Sequence, residues 1–167
     1  MKRALLAALL LAACSRRDAT PAPSATPATG LEAAAIAAGV IPDPASADIT
    51  GLYARETDRV CIVPAAKNYR IGVFVDYGDN LSCTGSGTVT RDGETLNIDL
   101  PAAPGCSFDA RFEGDRIVFP AQLPEACAKV CQRRASIAAL DVERLSESAS
   151  EASTLRDAKG QLLCGSD

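Results

Sequence analysis

Apolar and polar positions alternate along the middle of the chain. Residues 70–77, 96–100 and 106–112 each carry an apolar side chain at every second position, which is typical of half-buried antiparallel strands. Turn-forming residues separate these segments, and Asp92-Gly93 favours a two-residue hairpin. The pattern predicts seven strands, over 49–54, 58–63, 69–77, 82–90, 94–100, 105–112 and 115–119. A meander with such short turns favours a small barrel or sandwich.

The pattern weakens after Pro120. Pro124 indicates the start of a short helix, because proline is favoured in the first helical turn. Residues 134–140 are predicted as one more strand. Asp141 is predicted to cap a second helix, which ends near Gly160. The expected fold class is therefore mainly β: a small antiparallel meander barrel or sandwich of about seven to eight strands, with one or two C-terminal helices.

The chain begins with the pattern of an export signal. Met1-Lys2-Arg3 precedes the ten apolar residues 4–13, a run too short for the roughly 20 residues of a transmembrane helix. It ends in Leu11-Ala12-Ala13-Cys14, which resembles the lipobox of bacterial lipoproteins. The resemblance implies cleavage after Ala13, lipidation of Cys14 and firm anchoring by two or three acyl chains. The alternative is an ordinary secreted protein that keeps Cys14 for a disulfide.

Three regions follow from these patterns. Residues 1–13 are interpreted as a signal peptide. Residues 14–47 are interpreted as the lipidated Cys14, a flexible tether rich in Pro, Ala and Thr, and a short Ala-rich helix, since the tether has no apolar face to bury. Residues 48–167 are expected to form the folded β domain. The resemblance also implies an outer-membrane location, facing the periplasm or exposed at the surface, because Ser15 stands where an Asp favours retention in the inner membrane.

Six cysteines remain beyond Cys14, and an even count in an exported chain predicts a disulfide framework. The domain has four Phe, three Tyr and no Trp, so covalent bridges would supplement a core with few large aromatic side chains. The sequence leaves the pairing open. The predicted structural disulfides involve Cys61, Cys83, Cys106, Cys127, Cys131 and Cys164.

The net charge and the absence of histidine limit the partners and the catalytic mechanisms that this chain can have. Without Lys2 and Arg3 the basic residues number 15 against 21 acidic ones, a net charge of −6, which argues against nucleic acid as a partner. The chain has no histidine, which excludes nucleophile arrangements that depend on histidine and all histidine metal sites. Lysines at 67, 129 and 159 show no recognisable spacing with a serine. We therefore predict no catalytic residues.

Other motifs have structural interpretations. Cys127 and Cys131 are too far apart for a Cys-x-x-Cys redox site. Residues 76–80 offer oxygen ligands, but their types are those of an ordinary turn, so no metal and no cofactor is predicted. Gly85-Ser86-Gly87 lacks the strand-to-helix context of a nucleophile elbow and is interpreted as a site of bulging or close packing.

These features favour a lipid-anchored envelope protein with a non-catalytic binding domain. It would contact the membrane through its lipid and an envelope or extracellular protein through its domain. Small disulfide-bonded lipoprotein barrels are similar in architecture to bacterial inhibitors of c-type lysozyme, which makes a lysozyme-inhibitor-like function one alternative. A structural or assembly accessory of the outer membrane and a carboxylate-based hydrolase are the others.

Overall fold

The computed structural model describes residues 30–165. The chain divides into two units, Met1–Ile41 and Pro42–Asp167. In the first unit, the expected Ala-rich helix is present as α1, Leu31–Ala37. The second unit contains the barrel, and it includes residues 42–47, which the sequence pattern assigns to the tether region. No helix in the described range 30–165 is both long and apolar enough to cross a membrane.

Eight antiparallel strands form a closed barrel, which confirms the predicted fold class. Each strand pairs with its neighbours in sequence, and the last strand pairs with the first. The seven predicted strands are all present, with ends within a few residues of those expected. The strands are β1 Gly51–Arg55, β2 Asp58–Pro64, β3 Tyr69–Asp76, β4 Ser82–Asp92, β5 Thr95–Asp99, β6 Ser107–Phe112, β7 Arg116–Val118 and β8 Asp141–Ser146.

Two predictions after Pro120 are wrong. Residues 134–140 form turns instead of a strand, and the backbone at Arg133 and Ala139 has positive φ, which interrupts extended structure. Asp141 begins β8 instead of a helix. The C-terminal helix is a single turn, α2, Ala149–Ala152. The helix predicted after Pro124 is a 3₁₀-helix, Glu125–Val130.

Side chains fill the barrel interior. Inward-facing residues from every strand form one continuous buried cluster, as expected when eight strands close around an apolar core. Phe108 and Phe119 make an edge-to-face contact within it, with ring centroids 5.0 Å apart. The largest completely buried side chains of this cluster are Tyr53, Phe112, Ile49, Ile62, Ile71, Leu96, Ile98, Leu100 and Ile117.

The barrel closes tightly where β1 meets β8. The register between these strands shifts at Leu52 and Tyr53, which marks a bulge. Gly51 has φ of +152°, and a Cβ at this position would lie 2.3 Å from the carbonyl oxygen of Ser146. A residue with a side chain cannot occupy this position without moving one of the two strands, so glycine permits the closure.

One end of the barrel, here called the entry end, is covered by residues 42–50, through which the chain enters β1. Two inward-facing arginines hold this segment by its carbonyl groups. Arg91 donates to the carbonyls of Pro44 and Ala47, and Arg144 on β8 donates to that of Asp48 at 2.5 Å. Both guanidinium groups lie against the ring of Phe112, so the entry end is closed by stacked cationic and aromatic groups.

The opposite end, here called the loop end, is covered by the long connection between β7 and β8, residues 119–140. Two disulfides fix this connection to the barrel: Cys83–Cys131 and Cys106–Cys127. The Tyr77 hydroxyl also donates to the Ser136 carbonyl at 3.0 Å. A connection of this length is therefore held at several points instead of moving freely.

The C-terminal segment, residues 147–165, packs on the outside of the barrel. The disulfide Cys61–Cys164 joins it to β2, and Leu163 and Ala152 bury an apolar patch there. Gly72 on β3 allows the close approach, because a Cβ at this position would lie 2.5 Å from the Leu163 Cβ. All six cysteines of the domain are thus paired, which confirms the predicted disulfide framework.

Candidate functional site

Several recesses of the described residues lie at the loop end. Three of them surround the 119–140 connection, and neighbouring recesses share lining residues: Cys131 in one case and Ala138 in the other. Binding residues are often found on loops that a rigid scaffold positions. A barrel with a filled interior and a long, covalently fixed connection matches that description, so the loop end is the candidate functional surface.

The lysine cleft is the largest of the three recesses, with a volume of about 290 Å³. It lies between the 3₁₀-helix, the start of β4 and the turn at residues 157–161. Lys129 and Lys159 come from separate elements and both line the cleft. Its remaining lining residues are Ser82, Thr84, Ala102, Val130, Cys131, Gln132, Asp157, Ala158 and Gln161.

The apolar recess, of about 180 Å³, lies within the connection itself. Pro124 and Glu125 line it at the start of the 3₁₀-helix, and the Cys106–Cys127 disulfide contributes Cys127 to its wall. Leu123 and Ile137 are its largest apolar lining residues, and Ile137 is itself almost fully buried. This recess offers a small apolar contact beside the more polar lysine cleft.

The carboxylate recess, of about 230 Å³, brings together the β1–β2 turn and the start of β8. Burial raises the pKa of the Asp58 carboxyl, although a backbone N–H from Asp76 opposes the shift. The pKa of Asp141 is lowered, chiefly because Arg116 donates hydrogen bonds to its carboxylate. Arg55 pairs with the same carboxylate at 2.7 Å.

Environments that move two carboxyl pKa values in opposite directions are a feature of acid–base sites. Here, however, two arginines already compensate the charge of Asp141. The same arrangement is that of an ordinary surface ion-pair network, which also perturbs pKa values.

A further groove lies on the barrel wall, outside the loop end. It has a volume of about 380 Å³ and runs along β6 and β7, which share only two residue pairs. Arg111 lines it and forms a 2.5 Å ion pair with Glu113. The groove follows from the shortness of β7 and lacks the covalent fixation of the loop end.

The structure gives clear positions to the motifs considered in the sequence. Residues 76–80 form a turn in which an Asp76 oxygen accepts from the Gly78 N–H at 2.9 Å. No group of three or more His, Cys, Asp or Glu side chains suited to a metal occurs in the part of the chain that the structure describes. Gly85-Ser86-Gly87 lies within β4, and a Cβ at Gly87 would lie 1.9 Å from the Asp99 carbonyl oxygen. Close packing therefore explains these glycines.

Sequence reasoning did not find the lysine cleft or the carboxylate recess. Lys129 and Lys159 are far apart in the chain and approach each other only because the C-terminal segment is bound to the barrel wall.

Cys14, the predicted lipidation site, lies outside the described residues. No family model, curated protein or solved structure matches this chain significantly.

Proposed function

We propose that this chain is a lipid-anchored envelope protein whose barrel is a non-catalytic binding domain, with the loop end as its contact surface. The observation that carries the proposal is the distribution of space in the barrel. Side chains fill the interior, while three adjoining recesses surround the 119–140 connection. A partner would therefore bind at the surface of the loop end and not inside the barrel.

The fixation of the 119–140 connection supports recognition. Two disulfides and the contact between Tyr77 and Ser136 hold it in one arrangement. A surface that is ordered before binding loses less conformational entropy when a partner binds. The connection is thus suited to contact another macromolecule without refolding.

The predicted anchor is compatible with this orientation. Pro42, the first residue of the second unit, lies at the entry end, near Gly114 in the β6–β7 turn. We propose an outer-membrane location with the domain facing the periplasm or the surface. Its partner is then an envelope or extracellular protein, and its membrane contact is the lipid.

Site-specific photo-cross-linking in the producing cells tests this function. A photoreactive residue is placed at Gln132, exposed in the 119–140 connection, and as a matched control at Glu94, exposed in the β4–β5 turn of the entry end. We expect a discrete protein adduct from position 132 and none from position 94. Equal adducts from both positions, or adducts only from position 94, would show that the loop end is not the contact surface.

A carboxylate-based hydrolase is the second candidate, favoured by the opposite pKa shifts of Asp58 and Asp141 in one recess. A screen with glycosidic, ester and peptide substrates compares the wild type with Asp58→Asn, Asp141→Asn and the exposed control Asp99→Asn. Turnover that disappears in the first two variants, but persists in the control, would replace the binding proposal with a catalytic one.

A further inference from the structure

The two lysines of the lysine cleft, Lys129 and Lys159, form no ion pair with an acidic side chain of residues 30–165. Three lysines remain after the predicted signal peptide, and two of them line this one recess. In a chain with an excess of acidic residues, such a convergence creates a local positive potential that attracts anions.

The cleft also contains free polar side chains. The hydroxyl groups of Ser82 and Thr84 and the amides of Gln132 and Gln161 line it, and none of the four hydrogen-bonds to another side chain or backbone group within residues 30–165. Each can donate at least one hydrogen bond to a ligand. Two lysines and four residues with uncharged donors therefore line the same recess.

One carboxylate also lines the cleft, and its hydrogen bonds are local. An Asp157 oxygen accepts from the backbone N–H groups of Lys159 and Gln161, each at 2.8 Å. These bonds shape the turn that presents Lys159. Arg133 and Arg134 follow Gln132 directly, are exposed, and take part in no ion pair of the described residues.

We infer that the lysine cleft binds a phosphate group. A phosphate monoester carries a charge of about −1.5 to −2 and three acceptor oxygens, which suits two ammonium groups and several neutral donors better than a carboxylate does. Lysine binds phosphate as a point charge and needs no fixed fork geometry. The volume of about 290 Å³ lies at the lower limit of ligand pockets, which suits one phosphorylated headgroup. This inference rests on the proposed binding function and names the ligand chemistry of its surface.

Binding is measured by NMR titration with inorganic phosphate, using the purified full-length chain with Cys14→Ser and its disulfides oxidised. Chloride at matched ionic strength is the reference. We expect saturable shifts of the amide signals of Ser82, Thr84, Gln132 and Gln161. Lys129→Met and Lys159→Met should each weaken binding by about tenfold, since each removes a charge-assisted contact.

Lys67→Met is the matched control, because Lys67 is an exposed lysine in the β2–β3 turn at the entry end. It should leave the affinity for phosphate unchanged. Shifts that chloride reproduces, or an affinity that falls equally in all three lysine variants, would overturn the inference. Preserved amide spectra in the three variants establish that each of them folds.

Flotation with vesicles distinguishes the source of the phosphate. Phosphatidylcholine vesicles with and without phosphatidic acid present the phosphomonoester on a lipid. Retention that requires phosphatidic acid and Lys159 indicates a headgroup, whereas a response to inorganic phosphate alone indicates a soluble ligand. No response in either assay, with the position-132 adduct still present, would refute phosphate binding and leave the proposed function intact. Loss of the adduct would count against the function itself.

Discussion

Replacing Arg144 by methionine tests how the entry end is closed. The Arg144 side chain is largely buried, with 10% of its surface exposed. One of its terminal nitrogens donates to the carbonyls of Asp48 at 2.5 Å and Gly114 at 3.0 Å, and the group lies 5.3 Å from the centre of the Tyr53 ring. Methionine retains most of the apolar stem but removes the charge and every donor.

The expected cost follows from these contacts. Two hydrogen bonds from a charged group contribute about 1.5–3 kcal/mol each, and the aromatic contacts add about 1 kcal/mol. Part of this is recovered because Arg144 Nε is buried without a partner in the native chain, and methionine removes that penalty of about 1–3 kcal/mol. We expect a net loss of about 3 kcal/mol in the free energy of unfolding, or about 10 °C in Tm for a domain of this size.

Urea unfolding of the Cys14→Ser chain, followed by circular dichroism, measures the effect. Arg111→Met is the control, because Arg111 is 63% exposed and its ion pair with Glu113 should contribute less than about 1 kcal/mol. Arg144→Lys should fall between wild type and Arg144→Met, since it retains the charge but not the planar stacking. If Arg144→Met is no more destabilising than the Arg111 control, Arg144 does not hold the entry segment.

Three other predictions concern the disulfide, an ion pair and the anchor. Replacing Cys61 and Cys164 by alanine should lower stability by about 2–4 kcal/mol and increase hydrogen exchange in the C-terminal segment; unchanged exchange there would contradict the role of this disulfide. Arg116 lowers the pKa of Asp141 in the folded chain. The stability from this pair is therefore present at neutral pH and lost as the pH falls below about 4. Asp141→Asn should consequently lose less stability than wild type between pH 7 and pH 3. Cys14→Ala should abolish metabolic labelling with fatty acid, and persistent labelling would refute the predicted lipidation.

Local periodicity explains why seven strands could be predicted and the eighth could not. In β5, Leu96 and Ile98 face the core, and the intervening residues are exposed, so the sequence alone carries the signal. In β8, Arg144 points inward, and Leu145 lies outward with 63% of its surface exposed. The usual assignment of polar residues to solvent therefore fails in this strand. The arginine is inside because the carbonyl groups of Asp48 and Gly114 accept hydrogen bonds from its terminal nitrogen, and no local pattern reveals that.

The disulfide pairings could not be predicted from the sequence for a different reason. The even cysteine count indicates three bridges, but Cys61 and Cys164 are separated by 103 residues, and only the packing of the C-terminal segment on β2 brings them together. The same packing moves Lys159 to the cleft that contains Lys129. The position of the C-terminal segment on the barrel therefore determines both the Cys61–Cys164 pairing and the lysine cleft. Local motifs indicate neither of them.

The positions of the three disulfides support the proposed contact surface at the loop end. The barrel is closed by the pairing of β1 with β8. Hydrogen bonds between strands and buried side chains therefore hold the strands together without a disulfide between them. None of the bridges lies at the entry end, where Arg91 and Arg144 close the barrel without covalent help. Two bridges fix the 119–140 connection, and the third holds the C-terminal segment that completes the lysine cleft. Covalent restraint is therefore concentrated on the elements that form the recesses, where a fixed surface reduces the entropy lost on binding.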